Sequence, residues 1–347
     1  MKKTPIRLAD GRELIYYDAG DGGARDAVDQ RPLEATATTV EVRHDRLLDD
    51  RVAIASHRQG RTHLPPADQC PLCPSREGRL TEIPAPDYDV VVFENRFPSL
   101  AGDLGRCEVV CFTPDHTASF ADLTEDHASL VLTAWTDRTA ELARFPSVEQ
   151  VFCFENRGVE IGVTLGHPHG QVYGYPFATP RTRQMLRAVA GHRERTGGNL
   201  FDEMLAEEEA DGRRIVLTGE EWIAFVPYAA HWPYEVHLYP RRRVPDLRAL
   251  DEAARAAFPG CYLELLRRFD RIFGPGQPPT PYVSGWHQAP FHHPDRQDFA
   301  LHLELFTIRR TAGKLKFLAG SESGMSVFIN DVPPETAAER LREVATV

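Results

Sequence analysis

Apolar and polar positions alternate through Thr39-Val40-Glu41-Val42-Arg43, the two-residue period of a half-buried strand. Residues 51–56 form a second strand-like run. Three more follow at Val90-Val91-Val92-Phe93, Glu108-Val109-Val110-Cys111-Phe112 and Val151-Phe152-Cys153-Phe154. Between the last two the period changes. Ala128, Val131, Leu132, Trp135 and Leu142 share one helical face behind Thr124, which predicts a capped helix over residues 120–145. Upstream, residues 5–18 read as a hairpin turning at Asp10-Gly11, and residues 19–32, rich in Gly and Asp, as a loop.

The second half repeats this order. Trp222-Ile223-Ala224-Phe225-Val226 answers Val90 to Phe93, and residues 235–242 answer residues 109–116. A helix over residues 247–273, expected to break at Pro259-Gly260, answers the first helix. Leu165-Gly166-His167-Pro168-His169 is answered by Phe299-Ala300-Leu301-His302-Leu303-Glu304. The pattern predicts an α+β protein of two duplicated domains, 1–176 and 177–347, each a mainly antiparallel sheet with helices packed on it. Residues 177–212 read as a polar, partly helical insertion. Residues 333–347 read as a terminal helix with Ala338, Leu341 and Ala345 on one face.

A chain of 347 residues has room for two cores. Its net charge of -11 argues against a general nucleic-acid or membrane-surface binder, because polyanions are repelled. Any phosphate chemistry must therefore draw on local positive charge, amide donors or a metal. No apolar run reaches bilayer length, and no apolar segment follows Lys2 and Lys3 as a secretory signal requires. Six cysteines in so long a chain, without an export signal, read as reduced thiols or metal ligands, which predicts a cytoplasmic protein.

The sharpest chemical motif is His167-Pro168-His169-Gly170-Gln171. Two histidines one residue apart on a strand point the same way and can serve one site. Gly170 permits close backbone approach to a ligand such as phosphate. Neutral imidazole is a good nucleophile at phosphorus near neutral pH. Cys70-Pro71-Leu72-Cys73 has the spacing of a two-thiolate clamp on a tetrahedral metal. A second such pair is absent, so two further ligands must come from elsewhere, and His116 and His167 are candidates. Cys107 and Cys111 read as core thiols.

These motifs and the duplication resemble galactose-1-phosphate uridylyltransferases of the histidine-triad superfamily, over about residues 40–341. The resemblance implies homodimers that convert UDP-glucose and galactose 1-phosphate to UDP-galactose and glucose 1-phosphate. It implies that His169 is the nucleophile, forming a covalent uridylyl-histidine, and that Gln171 holds the α-phosphate. It makes Cys70, Cys73, His116 and His167 zinc ligands. It places Arg58 and Asn156 on phosphate, Gly162 and Thr164 beside them, and Asn95 at the nucleoside. Lys316, Phe317 and Glu322 fall in the hexose-binding segment, which in the family reaches the neighbouring subunit's active site.

Three departures stand out. Arg96 replaces a usual aspartate beside Asn95. Of a second metal site found in many members, His287 and His302 remain, whereas Glu304 and Met185 stand where a histidine and a glutamate are usual. That site is therefore not expected. The alternatives are a nucleotidyltransferase of the same fold with another base or acceptor, such as an ADP-glucose phosphorylase, and a non-catalytic zinc-stabilised nucleotide-binding module. A plain nucleotide hydrolase is disfavoured, because Gln171 stands where its third histidine would be.

Overall fold

The computed structural model describes residues 1–20, 25–34, 39–60 and 63–346. The chain divides into two compact units, one of residues 1–154, 163–181 and 290–292, the other of residues 155–162, 182–289 and 293–347.

In the first unit a hairpin of β1 (Lys2–Arg7) and β2 (Glu13–Asp18) lies against β5 (Val90–Glu94), with Tyr16 opposite Val91. The strand order continues through β6 (Arg106–Cys111) and β8 (His169–Tyr175) to β7 (Gln150–Arg157), whose last three residues, 155–157, are counted with the second unit. Helix α1 (Glu125–Leu142) connects β6 to β7, and Thr124 caps it by accepting the His127 N–H. Its buried residues, Ala128, Val131, Leu132, Trp135 and Leu142 among them, include every position the spacing selected. Strands β3 (Glu41–Asp45) and β4 (Asp50–Ile54) pair only with each other, as a separate two-stranded ribbon.

The second unit holds α2 (Pro180–Thr196) from Thr182 onward and all of α3 (Leu200–Asp211). Residues 177–212 are thus mostly helical. Asn199 caps α3 through the N–H groups of Phe201 and Asp202, and Gly212 ends it at φ +70°. Leu186, Val189 and Phe201 pack on Ile223, Phe225 and Tyr239, so a segment polar in sequence still covers a core face. After β9 (Ile215–Thr218), the strands β10 (Trp222–Phe225), β11 (Tyr234–Pro240), β12 (Tyr282–His287) and β13 (His302–Thr307) take the order β10-β11-β13-β12. This is the order β5-β6-β8-β7 of the first unit, so the duplication extends to topology. Helix α4 (Glu252–Arg271) stands where α1 stands and runs unbroken through Pro259. Its buried face, with Phe258, Tyr262, Leu263, Leu265, Leu266 and Phe269, keeps the helix continuous despite one missing amide donor. A short helix α5 (Gly320–Met325) precedes α6 (Pro334–Glu343), on which Ala338 and Leu341 are buried. Among the described residues no helix is long and apolar enough to cross a membrane.

Candidate active site

Cys70, Cys73, His116 and His167 converge in the first unit, one ligand atom of each lying within 4.8 Å of the others. Cys73 Sγ is 3.4 Å from His116 Nδ1 and 3.6 Å from His167 Nδ1. Sulfur and nitrogen ligands of one tetrahedral ion, at about 2.3 and 2.05 Å from it, lie about 3.6 Å apart. The spacing is that of a metal donor set. Neighbouring groups hold it in place: Cys73 O accepts from Thr81 Oγ1 at 2.6 Å, and Cys70 O accepts from Arg79. His167 Nε2 lies 2.8 Å from the Thr113 carbonyl, which can only accept, so Nε2 carries the hydrogen and Nδ1 turns its lone pair to Cys73. Tyr88 braces the same point, its hydroxyl 2.7 Å from Thr113 O and 3.0 Å from His167 Nε2. Burial, with Cys70 alongside, pushes the Cys73 thiol up to about 11. A thiolate here thus needs a cation beside it.

His167 and His169 do not share a strand. His167 lies before β8, because Pro168 has no N–H to enter the ladder and instead offers its carbonyl to Phe112 N at 3.4 Å. His169 opens β8 opposite Cys111. Its Nδ1 lies 2.7 Å from the His167 carbonyl, so Nδ1 carries the hydrogen and Nε2 the lone pair. Burial lowers the pKa of its ring, which favours the neutral imidazole. Protein packing by itself requires Gly170: a Cβ there would lie 2.7 Å from the Phe112 ring and 2.8 Å from the Phe154 carbonyl. Gln171 follows opposite Val109, half-buried on the same side of β8 as His169.

Arg58 sits on a short turn (Ser56–Gly60) and donates to Phe97 O at 2.9 Å and Ser99 Oγ at 2.7 Å. Asn95 Oδ1 accepts from Phe97 N at 2.8 Å, so Asn95 and Arg58 brace one segment from two sides. Asn95 also lines a cavity of about 220 Å³ with Arg12, Glu94 and Arg106. Arg96 reaches to 4.0 Å from Glu82, a buried carboxylate also paired with Arg12 and Arg31. Thr164 is half-buried, and its carbonyl accepts from Leu64 N at 2.7 Å.

Within the second unit, Asn156 lies near the end of β7, and Gly162 closes the following turn at φ +85°. Lys316 Nζ is buried 2.8 Å from Glu322 Oε1, and Lys316 holds the Glu322 carboxyl down to about 2. Phe317, by contrast, is 72% exposed.

A second donor cluster was legible only in part. His287 and His302 face each other across β12 and β13, with rings stacked at 4.8 Å. Their Nε2 atoms lie 3.3 and 3.6 Å from the Glu304 carboxylate. His237, directly opposite Glu304 on β11, brings its Nε2 to 3.6 Å from the same carboxylate and 2.9 Å from Glu235. Sequence reading missed His237, Glu235 and Tyr88. The two-residue parity of Glu235, His237, His302 and Glu304 was the available signal, once register joined the strands.

Duplicated antiparallel units, a two-cysteine, two-histidine donor set and a histidine presenting Nε2 beside it define the class, a nucleotidyltransferase. The chain belongs to the galactose-1-phosphate uridyl transferase family: residues 99–179 match its N-terminal domain and residues 184–347 its C-terminal domain. It is 66% identical to the galactose-1-phosphate uridylyltransferase of Streptomyces lividans, over all of this chain and 99% of that one. It is 35% identical to the enzyme of that name from Thermotoga maritima, over 88% of this chain and 98% of that one. A solved uridylyltransferase structure superposes with a TM-score of 0.76 at 31% identity, covering 88% of this chain and 98% of the other.

Proposed function

We propose that the chain moves a uridylyl group from UDP-glucose to galactose 1-phosphate by way of His169. The observation that carries this reading is the 2.7 Å contact from His169 Nδ1 to the His167 carbonyl, which leaves Nε2 as the free base of the pair. Nε2 attacks the α-phosphorus, the bond from that phosphorus to the bridging oxygen breaks, and glucose 1-phosphate leaves with the bond's electrons. Galactose 1-phosphate then attacks the phosphorus through a phosphate oxygen, the P–N bond breaks, and the imidazole is restored. Two displacements let one phosphate site serve both sugar phosphates in turn.

Gln171 donates a neutral hydrogen bond to the α-phosphate, and Arg58, Asn156, Thr164 and the Gly162 turn offset the charge of the phosphates. Asn95 contacts the nucleoside. Lys316, Phe317 and Glu322 receive the hexose phosphate, and in a homodimer they serve the neighbouring copy. Zinc fits the Cys70, Cys73, His116 and His167 set; its chemistry is to hold the two thiolates and two imidazoles together, which fixes the backbone leading to His169. The six free cysteines accord with a cytoplasmic location.

The test is intact-protein mass spectrometry after mixing with UDP-glucose or ADP-glucose. A uridylyl adduct discharged by galactose 1-phosphate, and absent from His169→Gly, is the expected result. An adenylyl adduct discharged by inorganic phosphate would move the chain to the phosphorylase reading.

A further inference from the structure

Strand alternation separates the side chains at the end of β7. Asn156 lies on one side, with Phe152 and Phe154, and Glu155 and Arg157 lie on the other. Glu155 and Arg157 therefore cannot meet a ligand on the Asn156 side. They meet α4 and β12 instead. Arg157 makes a two-pronged pair with Asp270 of α4, Nη1 donating to Oδ2 at 3.1 Å and Nη2 to Oδ1. Its Nε and Nη2 also donate to the Thr280 carbonyl, at 3.1 and 2.6 Å. The guanidinium lies 4.3 Å from the centre of the Tyr282 ring. The Tyr282 hydroxyl in turn donates to Glu155 Oε2 at 2.8 Å, and Asp270 Oδ1 accepts the Thr280 N–H at 3.0 Å. Glu155 and Arg157, the two neighbours of Asn156, are thus tied into one closed circuit.

The chain beyond them is held as firmly. Gly158 has φ +98°, and a Cβ there would lie 2.7 Å from Pro281 Cβ, so the turn is pressed against the start of β12. Glu160 then pairs with Arg309 at 2.9 Å. Ion pairs whose carboxylates are part-exposed, as Asp270 and Glu160 are, contribute only about 0–1 kcal/mol each, so stability alone does not account for the circuit. What it does is fix one backbone position.

We propose that Asp270 and Tyr282 are positioning residues for Asn156, acting through Arg157 and Glu155 to hold the Asn156 amide where the transferring phosphate passes. This rests on the reading above that Asn156 contacts that phosphate. Neither residue reaches the Asn156 side itself. Their effect is geometric, and displacement of a catalytic amide by about 1 Å is enough to cost tens of fold in rate.

The experiment is a double-mutant cycle on the full-length, metal-replete protein. Steady-state uridylyl transfer is measured for wild type, Asp270→Asn, Asn156→Ala and the double variant, with the same set built on Tyr282→Phe. The expected result is a fall in kcat of about tenfold for Asp270→Asn, with KM for UDP-glucose within about twofold and the melting transition still cooperative. Asn156→Ala then costs much less in the Asp270→Asn background than in wild type, because the amide is already misplaced. Fully additive losses, or wild-type kcat in both Asp270→Asn and Tyr282→Phe, would overturn the positioning role while leaving Asn156 on the phosphate. An Asn156→Ala variant as fast as wild type would overturn the phosphate contact, and the positioning role with it. Should Asp270→Asn fail to fold, the Tyr282→Phe cycle decides by the same criteria.

Discussion

His169 and His302 hold the same place in the two units. Each opens its strand, and each has Nδ1 beside the carbonyl two residues back, at 2.7 Å in the first and 2.8 Å in the second. They differ in what surrounds Nε2. His169 is half-buried and followed two residues later by neutral Gln171, whereas His302 is 1% exposed and faces the Glu304 carboxylate. One unit leaves the histidine part-exposed and the other encloses it.

His302→Ala is therefore expected to lower stability by about 1–3 kcal/mol, through the loss of a buried partner of Glu304, and to retain uridylyl adduct formation. His169→Ala is expected to abolish the adduct with little change in the unfolding midpoint. Urea unfolding paired with adduct mass separates the two, and loss of the adduct in folded His302→Ala would contradict the assignment.

Cys73→Ser is expected to abolish stoichiometric zinc, and Tyr88→Phe to weaken zinc binding about 10- to 100-fold by releasing one support of His167. Competition with a chromogenic chelator measures both. Equal zinc retention in wild type and Tyr88→Phe would show that the Thr113 carbonyl alone orients the ring.

Gly170→Ala tests why that glycine is there. The new methyl meets the Phe112 ring and the Phe154 carbonyl, so a loss of about 1–3 kcal/mol is expected even without substrate. A variant of wild-type stability that fails only in catalysis would return the glycine to a ligand-facing role.

The Glu155 carboxyl, pushed up to about 7 by burial, gives stability a defined pH slope. The folded protein holds this proton until about pH 7, whereas the unfolded chain releases it near 4.5, so stability falls as pH rises between those values. The Tyr282 hydroxyl and Arg157 act against the shift, and Asp270 adds to it. The full difference is about 3 kcal/mol, and Glu155→Gln is expected to remove that slope and gain stability at pH 8. Urea midpoints from pH 5 to 8 give the answer; parallel curves for the two proteins would place the proton elsewhere.

The strands, α1 and the duplication were legible because their periods are local. Thr124 and the apolar face of α1 could be read within one continuous segment, residues 124–142. The unbroken α4 could not, since what overrides Pro259 is burial of residues distant in sequence. The Cys70, Cys73, His116 and His167 set followed from ligand chemistry and family resemblance together. His237 and Tyr88 escaped because strand register and a hydroxyl's direction are tertiary facts. Pro168 misled the reading of the histidine pair: it sets the strand boundary between the two rings, and they face different neighbours.

Cys73 and His167 stand 94 residues apart in the chain yet meet at one point. At a synthesis rate of about 5–20 residues per second, some 5 to 20 seconds separate the emergence of the two from the ribosome. For the first 43 of those residues the nascent chain carries two neighbouring thiols without either imidazole of the set, and for the rest it has His116 but not His167. A zinc ion arriving early finds an unfinished site, and an oxidant arriving early finds an exposed dithiol. The order of synthesis thus opens a window in which a reducing environment protects the two thiols, separate from anything the finished fold requires.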